Sequence, residues 1–119
     1  MRIYLIGNVK TKEVLNCMKE KLLKKIIKII PYISHDRLLW HSHSADLLLL
    51  ILGEMPGASL ICPGKLFEYI AINKPILAII PRNGAASKVI HETNSGFIAD
   101  HSNTKDIKKM VEFLYQKLR

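Results

Sequence analysis

Leu47 to Leu52 is a run of six apolar residues, preceded by Asp46 and closed by Gly53. It has no polar face, so it fits neither a half-solvated strand nor an amphipathic helix. It is far shorter than the roughly 20 residues a membrane-crossing helix needs. An uninterrupted run of strand length suits a central parallel strand covered on both faces. Parallel strands require crossover connections, normally helices. The run therefore predicts an α/β chain.

The rest of the chain alternates in the same sense. Residues 2–7 read as a short strand that stops at Gly7. From Thr11 the apolar period turns helical, with Val14, Leu15, Met18, Leu22, Leu23 and Ile26 on one face and lysines on the other. Residues 28–33 read as a second strand, and Pro31 puts it at a sheet edge or strand end. Ser34 can cap a helix from His35 to Ser44. Residues 53–63 hold two Gly and two Pro with no period, and a helix follows from Pro63 or Gly64 to near Asn73. Ile76–Ile80 reads as a fourth strand. A helix from Gly84 to Thr93 is predicted to end at Gly96 as a C-cap. Phe97–Ala99 reads as a short fifth strand. From Thr104 the residues Ile107, Met110, Val111, Leu114, Tyr115 and Leu118 mark a final helix.

With 119 residues this alternation predicts one domain over 1–119. Its fold class is α/β: a Rossmann-like three-layer domain with a five-stranded parallel sheet in the order 2-1-3-4-5. The chain is 49% hydrophobic and 24% charged, which excludes disorder, a collagen-like chain and a coiled coil. Met1–Ile6 is too short for a signal peptide. Cys17 and Cys62 make no disulfide framework, so a reducing, cytoplasmic setting is expected. The net charge of +8 is concentrated at the ends; residues 1–28 hold eight Lys/Arg and two Glu. Aromatics are not interleaved among these lysines, so nucleic acid is not expected as a partner. A solvated helix face is the simplest reading. A surface meeting an acidic partner or an anionic membrane, at its inner face, is the alternative.

In a doubly wound sheet ligands bind beyond the carboxyl ends of the strands, where strand order reverses. For 2-1-3-4-5 the reversal faces the loop after strand one, Gly7-Asn8-Val9, toward the loop 53–63. That loop leads into Cys62-Pro63-Gly64-Lys65 at a helix start. A helix N-terminus offers unpaired N–H groups and partial positive charge. Gly64 lets backbone approach an anion. Lys65 opposes the helix dipole, and a bound phosphate would justify it. Glu68, one turn on from Gly64, could accept hydrogen bonds from a ribose diol. The bland readings are a plain helix start, a solvated lysine and a dipole-favoured glutamate. His41 and His43 point to different helix faces, so no metal site is expected. Cys62 reads as a small cap-region residue, and Trp40 and Tyr69 as packing residues.

The segments Ala45–Leu50, Pro63-Gly64-Lys65-Leu66-Phe67-Glu68-Tyr69-Ile70-Ala71 and Lys74–Ala78 resemble the C-terminal, donor-binding half of group 1 (family 4) glycosyltransferases of GT-B architecture. Asn83-Gly84 and Glu92–Phe97 resemble that family's next helix and last strand. The resemblance implies that the chain binds a nucleotide-diphosphate sugar as substrate, with no cofactor and no metal. Glu68 would take the ribose hydroxyls. The Gly64, Lys65 and Leu66 backbone would lie near the diphosphate, and the loop from Tyr32 to His35 near the base. The family's second glutamate, eight positions earlier, corresponds to Leu60 here. Residues 2–7 resemble the second strand of that half, so the chain is expected to begin inside it. Hexosyl transfer would then need a separate N-terminal, acceptor-binding half as partner. The alternatives are a non-enzymatic flavodoxin-like interaction or signalling domain and half of a nucleotide-sugar epimerase. A receiver-type signalling domain would want clustered acids after strand one, and Gly7-Asn8-Val9 has none.

Overall fold

In the computed structural model of the chain, residues 1–7, 12, 16, 18–53 and 55–118 are described. They fall into two compact units, Met1–His41 and Ser42–Arg119. The described residues form five strands, every observed pairing of which is parallel. The α/β character predicted from the alternating period is therefore present in both units.

In the N-terminal unit β1 (Ile3–Ile6) pairs with β2 (Ile27–Ile30), and α1 (Lys21–Ile26) leads directly into β2. The ladder continues past β1, because the Gly7 N–H donates to the Ile30 carbonyl at 2.9 Å. Pro31 has no N–H to offer, and β2 ends before it, earlier than the predicted Ile33. The helix expected from Thr11 is interrupted: Lys12 and Asn16 are helical as predicted, but residues 18–20 form a turn and bend. Val14 and Leu15 lie outside the described residues. Glu20 is extended, at φ −77° and ψ 127°, and α1 begins after it. A helix of six residues makes fewer than two turns. It cannot present the long stripe that the i, i+4, i+8 spacing required, and Leu22 is 70% exposed. α2 (His35–Ser44) starts as predicted, with the Ser34 hydroxyl accepting from the Arg37 N–H at 3.4 Å.

In the C-terminal unit β3 (Leu48–Ile51), β4 (Ile76–Ile80) and β5 (Gly96–Asp100) lie in that order. They are joined by α3 (Gly64–Ile72) and α4 (Ala85–Thr93), and α5 (Thr104–Lys117) follows. Side chains alternate across the sheet. Leu48, Leu50, Ile76, Ala78, Ile80 and Ile98 pack with Leu66 of α3 and with Ala86 and Ile90 of α4. On β5, Phe97 meets Phe113 of α5 edge to face at 5.9 Å, and Leu114 of α5 is buried. Helices thus flank this sheet on both faces. Asn103 caps α5 by accepting from the Asp106 N–H at 3.1 Å.

Three expectations are corrected. The single five-stranded sheet in the order 2-1-3-4-5 is instead two sheets, β1-β2 and β3-β4-β5. The hydrophobic period specifies that a segment is a strand and which face is apolar, but not which edge it joins. Second, β3 is not covered on both faces: Leu48 and Leu50 are buried while Ile51 is 60% exposed. Among the described residues β3 pairs with β4 alone and is the outer strand of its sheet. Third, Gly96 does not cap α4. Asn94 does so, in the left-handed region at φ 49°. Gly96 opens β5, where a Cβ would come within 2.3 Å of the Ile76 carbonyl oxygen.

Candidate functional site

β3, α3 and β4 form a parallel β-α-β unit, so the α3 N-terminus lies at the carboxyl end of β3. Its orientation is fixed from the inside. Leu66 is fully buried. Ile70 and Tyr69 pack against the core, and the Tyr69 hydroxyl donates to the Leu49 carbonyl at 3.2 Å. Burial, and secondarily the Glu68 charge, push the Tyr69 phenol above its ordinary value. With Leu66 inward, the 100° step of a helix turns Gly64, Lys65 and Glu68 outward. All three are exposed.

The helix start is open. Pro63 stands at the N-cap in an extended conformation and supplies no side-chain cap, and the first turn holds no acid. A Cβ on Gly64 would meet nothing within 4 Å. The early N–H groups of a helix lack intrahelical acceptors. The Leu66 N–H is already engaged by the Pro63 carbonyl at 3.1 Å. Gly64 and Lys65 therefore carry the outward donors of this turn. Cys62 packs against the core as a partly buried free thiol.

The other predicted site residues belong to the N-terminal unit. Gly7 has φ +120°, a conformation open to glycine, and space around its Cα. His35 is an exposed first residue of α2. Asn8 lies outside the described residues. A crevice shared by the loops after β1 and β3 presupposed those strands as sheet neighbours, and no β1–β3 pair is formed among the described residues. Trp40 is 65% exposed, with its ring edge to face against His41 at 5.1 Å.

A second feature, with no local signal in the sequence, lies at the carboxyl ends of the C-terminal sheet. Met55 to Ser59, Pro81 and His101 line an open groove of about 530 Å³. Its wall is held in place where Ser59 crosses Gly84, since a Cβ there would sit 2.9 Å from the Ser59 carbonyl oxygen. Ser87 donates to the Pro81 carbonyl and fixes the β4–α4 turn. Beside the groove, Asp106 pairs with Arg82 and accepts from the Asp100 N–H at 2.8 Å. Asp100 in turn accepts from the Ser102 N–H at 3.0 Å and the Ser102 hydroxyl at 2.8 Å. The His101 Nδ1 lies 3.5 Å from the Asp100 carboxylate, buried and without a hydrogen bond. The rule that ligands gather at strand carboxyl ends pointed to these turns. The partners span up to 24 residues of sequence, and no local pattern reveals them.

The carboxyl network gives a pH prediction. The Asp100 N–H, then Arg82, hold Asp106 below the usual carboxylate range. Ser102, through its N–H and then its hydroxyl, does the same for Asp100. A lowered native pKa means the unfolded chain binds more protons, so stability is full above about pH 4 and falls as pH drops below it. Asp106→Asn should lower the urea midpoint at pH 7 and flatten its decline toward pH 3. Denaturation series at several pH values measure both changes.

Among the described residues no group of three His, Cys, Asp or Glu side chains is placed to hold a metal. No helix of the described residues is long and apolar enough to cross a membrane. Comparison with protein-family models, curated proteins and solved structures finds no match to this chain.

Proposed function

We propose that this chain is the donor-binding half of a glycosyltransferase, holding a nucleotide-diphosphate sugar at the start of α3. The observation that carries this reading is the outward stripe of Gly64, Lys65 and Glu68 on an uncapped helix N-terminus at the carboxyl end of a parallel strand. The diphosphate receives the Gly64 and Lys65 N–H groups, the positive end of the helix and the Lys65 ammonium. These same groups stabilise the charge that develops on the leaving nucleoside diphosphate during transfer. The Glu68 carboxylate accepts from the two ribose hydroxyls. Lys65 and Glu68 are binding groups in this reading. No group is assigned to proton transfer, because the acceptor and its activating groups belong to a separate N-terminal half.

A chain of this kind works where nucleotide sugars and reduced thiols coexist, in the cytoplasm. Its partners are the nucleotide sugar and the acceptor-binding half, and nucleic acid is not one of them. Alone, the chain should bind nucleoside diphosphates without appreciable turnover.

Isothermal titration with UDP, GDP and their sugars tests the reading. Saturable heat with at least one of them is expected. Glu68→Ala removes charge-assisted hydrogen bonds worth about 1.5–3 kcal/mol, so binding should weaken about 10- to 100-fold. Absence of heat with every one of these ligands would overturn the proposal.

A further inference from the structure

The N-terminal unit concentrates positive charge. Residues 1–41 hold nine Lys/Arg against three acids. Lys21, Lys24 and Lys25 fall at i, i+3 and i+4 on α1, one stripe of a helix surface, and all three are exposed. Lys19 before the helix and Lys28 on β2 are exposed as well. None of these five lysines takes part in the ion pairs formed among the described residues. α1 itself contains no acid.

The apolar side chains here do not behave as a core. No residue of α1 is buried. Leu22, three positions before Lys25 and so beside it on the helix, is 70% exposed.

We propose that the exposed stripe of α1, Lys21, Lys24 and Lys25 with Leu22 beside it, forms a docking surface for an anionic lipid bilayer. The lysines supply the attraction to phosphate headgroups. Leu22 supplies an aliphatic group that can enter the headgroup–acyl boundary. The mixture selects this partner over other polyanions. A nucleic-acid backbone gives an exposed leucine nothing to bury against. The three charges of the stripe are all lysine, a flexible point charge suited to a fluid array of headgroups rather than to fixed bidentate pairing. The surface lies in the N-terminal unit and does not depend on the nucleotide reading of α3.

The experiment is flotation of the full chain with vesicles of about one-third phosphatidylglycerol in phosphatidylcholine, against pure phosphatidylcholine. Binding is expected on the anionic vesicles only, weakening at least about tenfold between about 0.05 and 0.5 M salt. Each lysine near an anionic surface contributes about a fivefold factor, so K21E/K24E/K25E should lose more than about 100-fold. Leu22→Ser should weaken binding while leaving its salt dependence unchanged. The triple variant should retain the wild-type circular dichroism spectrum and any UDP binding. If it misfolds, Lys24→Glu alone and the salt series on the wild type serve instead. No binding, equal binding to neutral vesicles, insensitivity to charge reversal, or stronger binding to a single-stranded oligonucleotide or a polyglutamate peptide at matched charge would each overturn the proposal.

Discussion

Gly96→Ala is expected to unfold the C-terminal unit or bring it close to unfolding. An added Cβ would stand 2.3 Å from the Ile76 carbonyl oxygen, 2.8 Å from the Ile76 Cβ and 3.0 Å from the Ile76 carbonyl carbon. Two of these three atoms are backbone, so no side-chain rotation relieves the overlap. Ile76 is fully buried and is the register partner of Gly96. Either β5 separates from β4 or β4 is driven into the core beneath it. The cost should exceed about 4 kcal/mol, a large part of the 5–15 kcal/mol that holds a typical domain together. Gly53→Ala is the control, because a Cβ at Gly53 meets nothing within 4 Å. That change should move stability by no more than about 1 kcal/mol. Urea unfolding followed by circular dichroism compares the two.

Leu66→Ala should be nearly as damaging, through a cavity instead of a clash. Leu66 is fully buried and joins α3 to Leu48 and Leu50 of β3 and to Ile76 and Ala78 of β4 within one apolar cluster. Truncating such a leucine removes its apolar contacts and leaves a void, together worth about 2–5 kcal/mol. It also loosens the anchor that turns Gly64, Lys65 and Glu68 outward, so ligand affinity should fall along with stability. Leu60→Ala separates burial from residue type. Leu60 is 83% exposed, and its truncation should cost less than about 0.5 kcal/mol.

These two sites also show what the chain's letters reveal. The apolar run at Leu47–Leu52, the helical period from Ile107 to Leu118 and the Ser34 cap each report a local preference, and each produced the expected element. The sequence around Gly96 suggests a helix terminator, because glycines often end helices. Its actual constraint is the approach of Ile76, a residue 20 positions earlier, which no local pattern encodes. Edge pairing was hidden for the same reason. The run at Leu47–Leu52 was apolar enough for a central strand, yet Ile51 ended up exposed and β3 pairs on one edge.

The candidate site divides along that line. The outward set of Gly64, Lys65 and Glu68 follows from helical spacing around Leu66 and was legible. The Arg82–Asp106–Asp100–Ser102 network, and the buried Nδ1 of His101 beside it, arise where the ends of two strands and a helix start converge. They became visible only in three dimensions. The exposure of Leu22 among lysines is a further case. The period from Thr11 assigns it an inner face, but the break at residues 18–20 restarts the helix at Lys21 and leaves Leu22 out of that continuous stripe.

A residue-resolved titration tests the central claim most directly: amide proton–nitrogen NMR spectra of the full chain with increasing UDP or GDP. Saturable shifts should concentrate on the Gly64 and Lys65 amides and on Glu68, and in Glu68→Ala should need about 10- to 100-fold more ligand while the spectrum stays folded. Shifts confined to the groove of Met55 to Ser59, Pro81 and His101, with Gly64 to Glu68 unmoved, would contradict it.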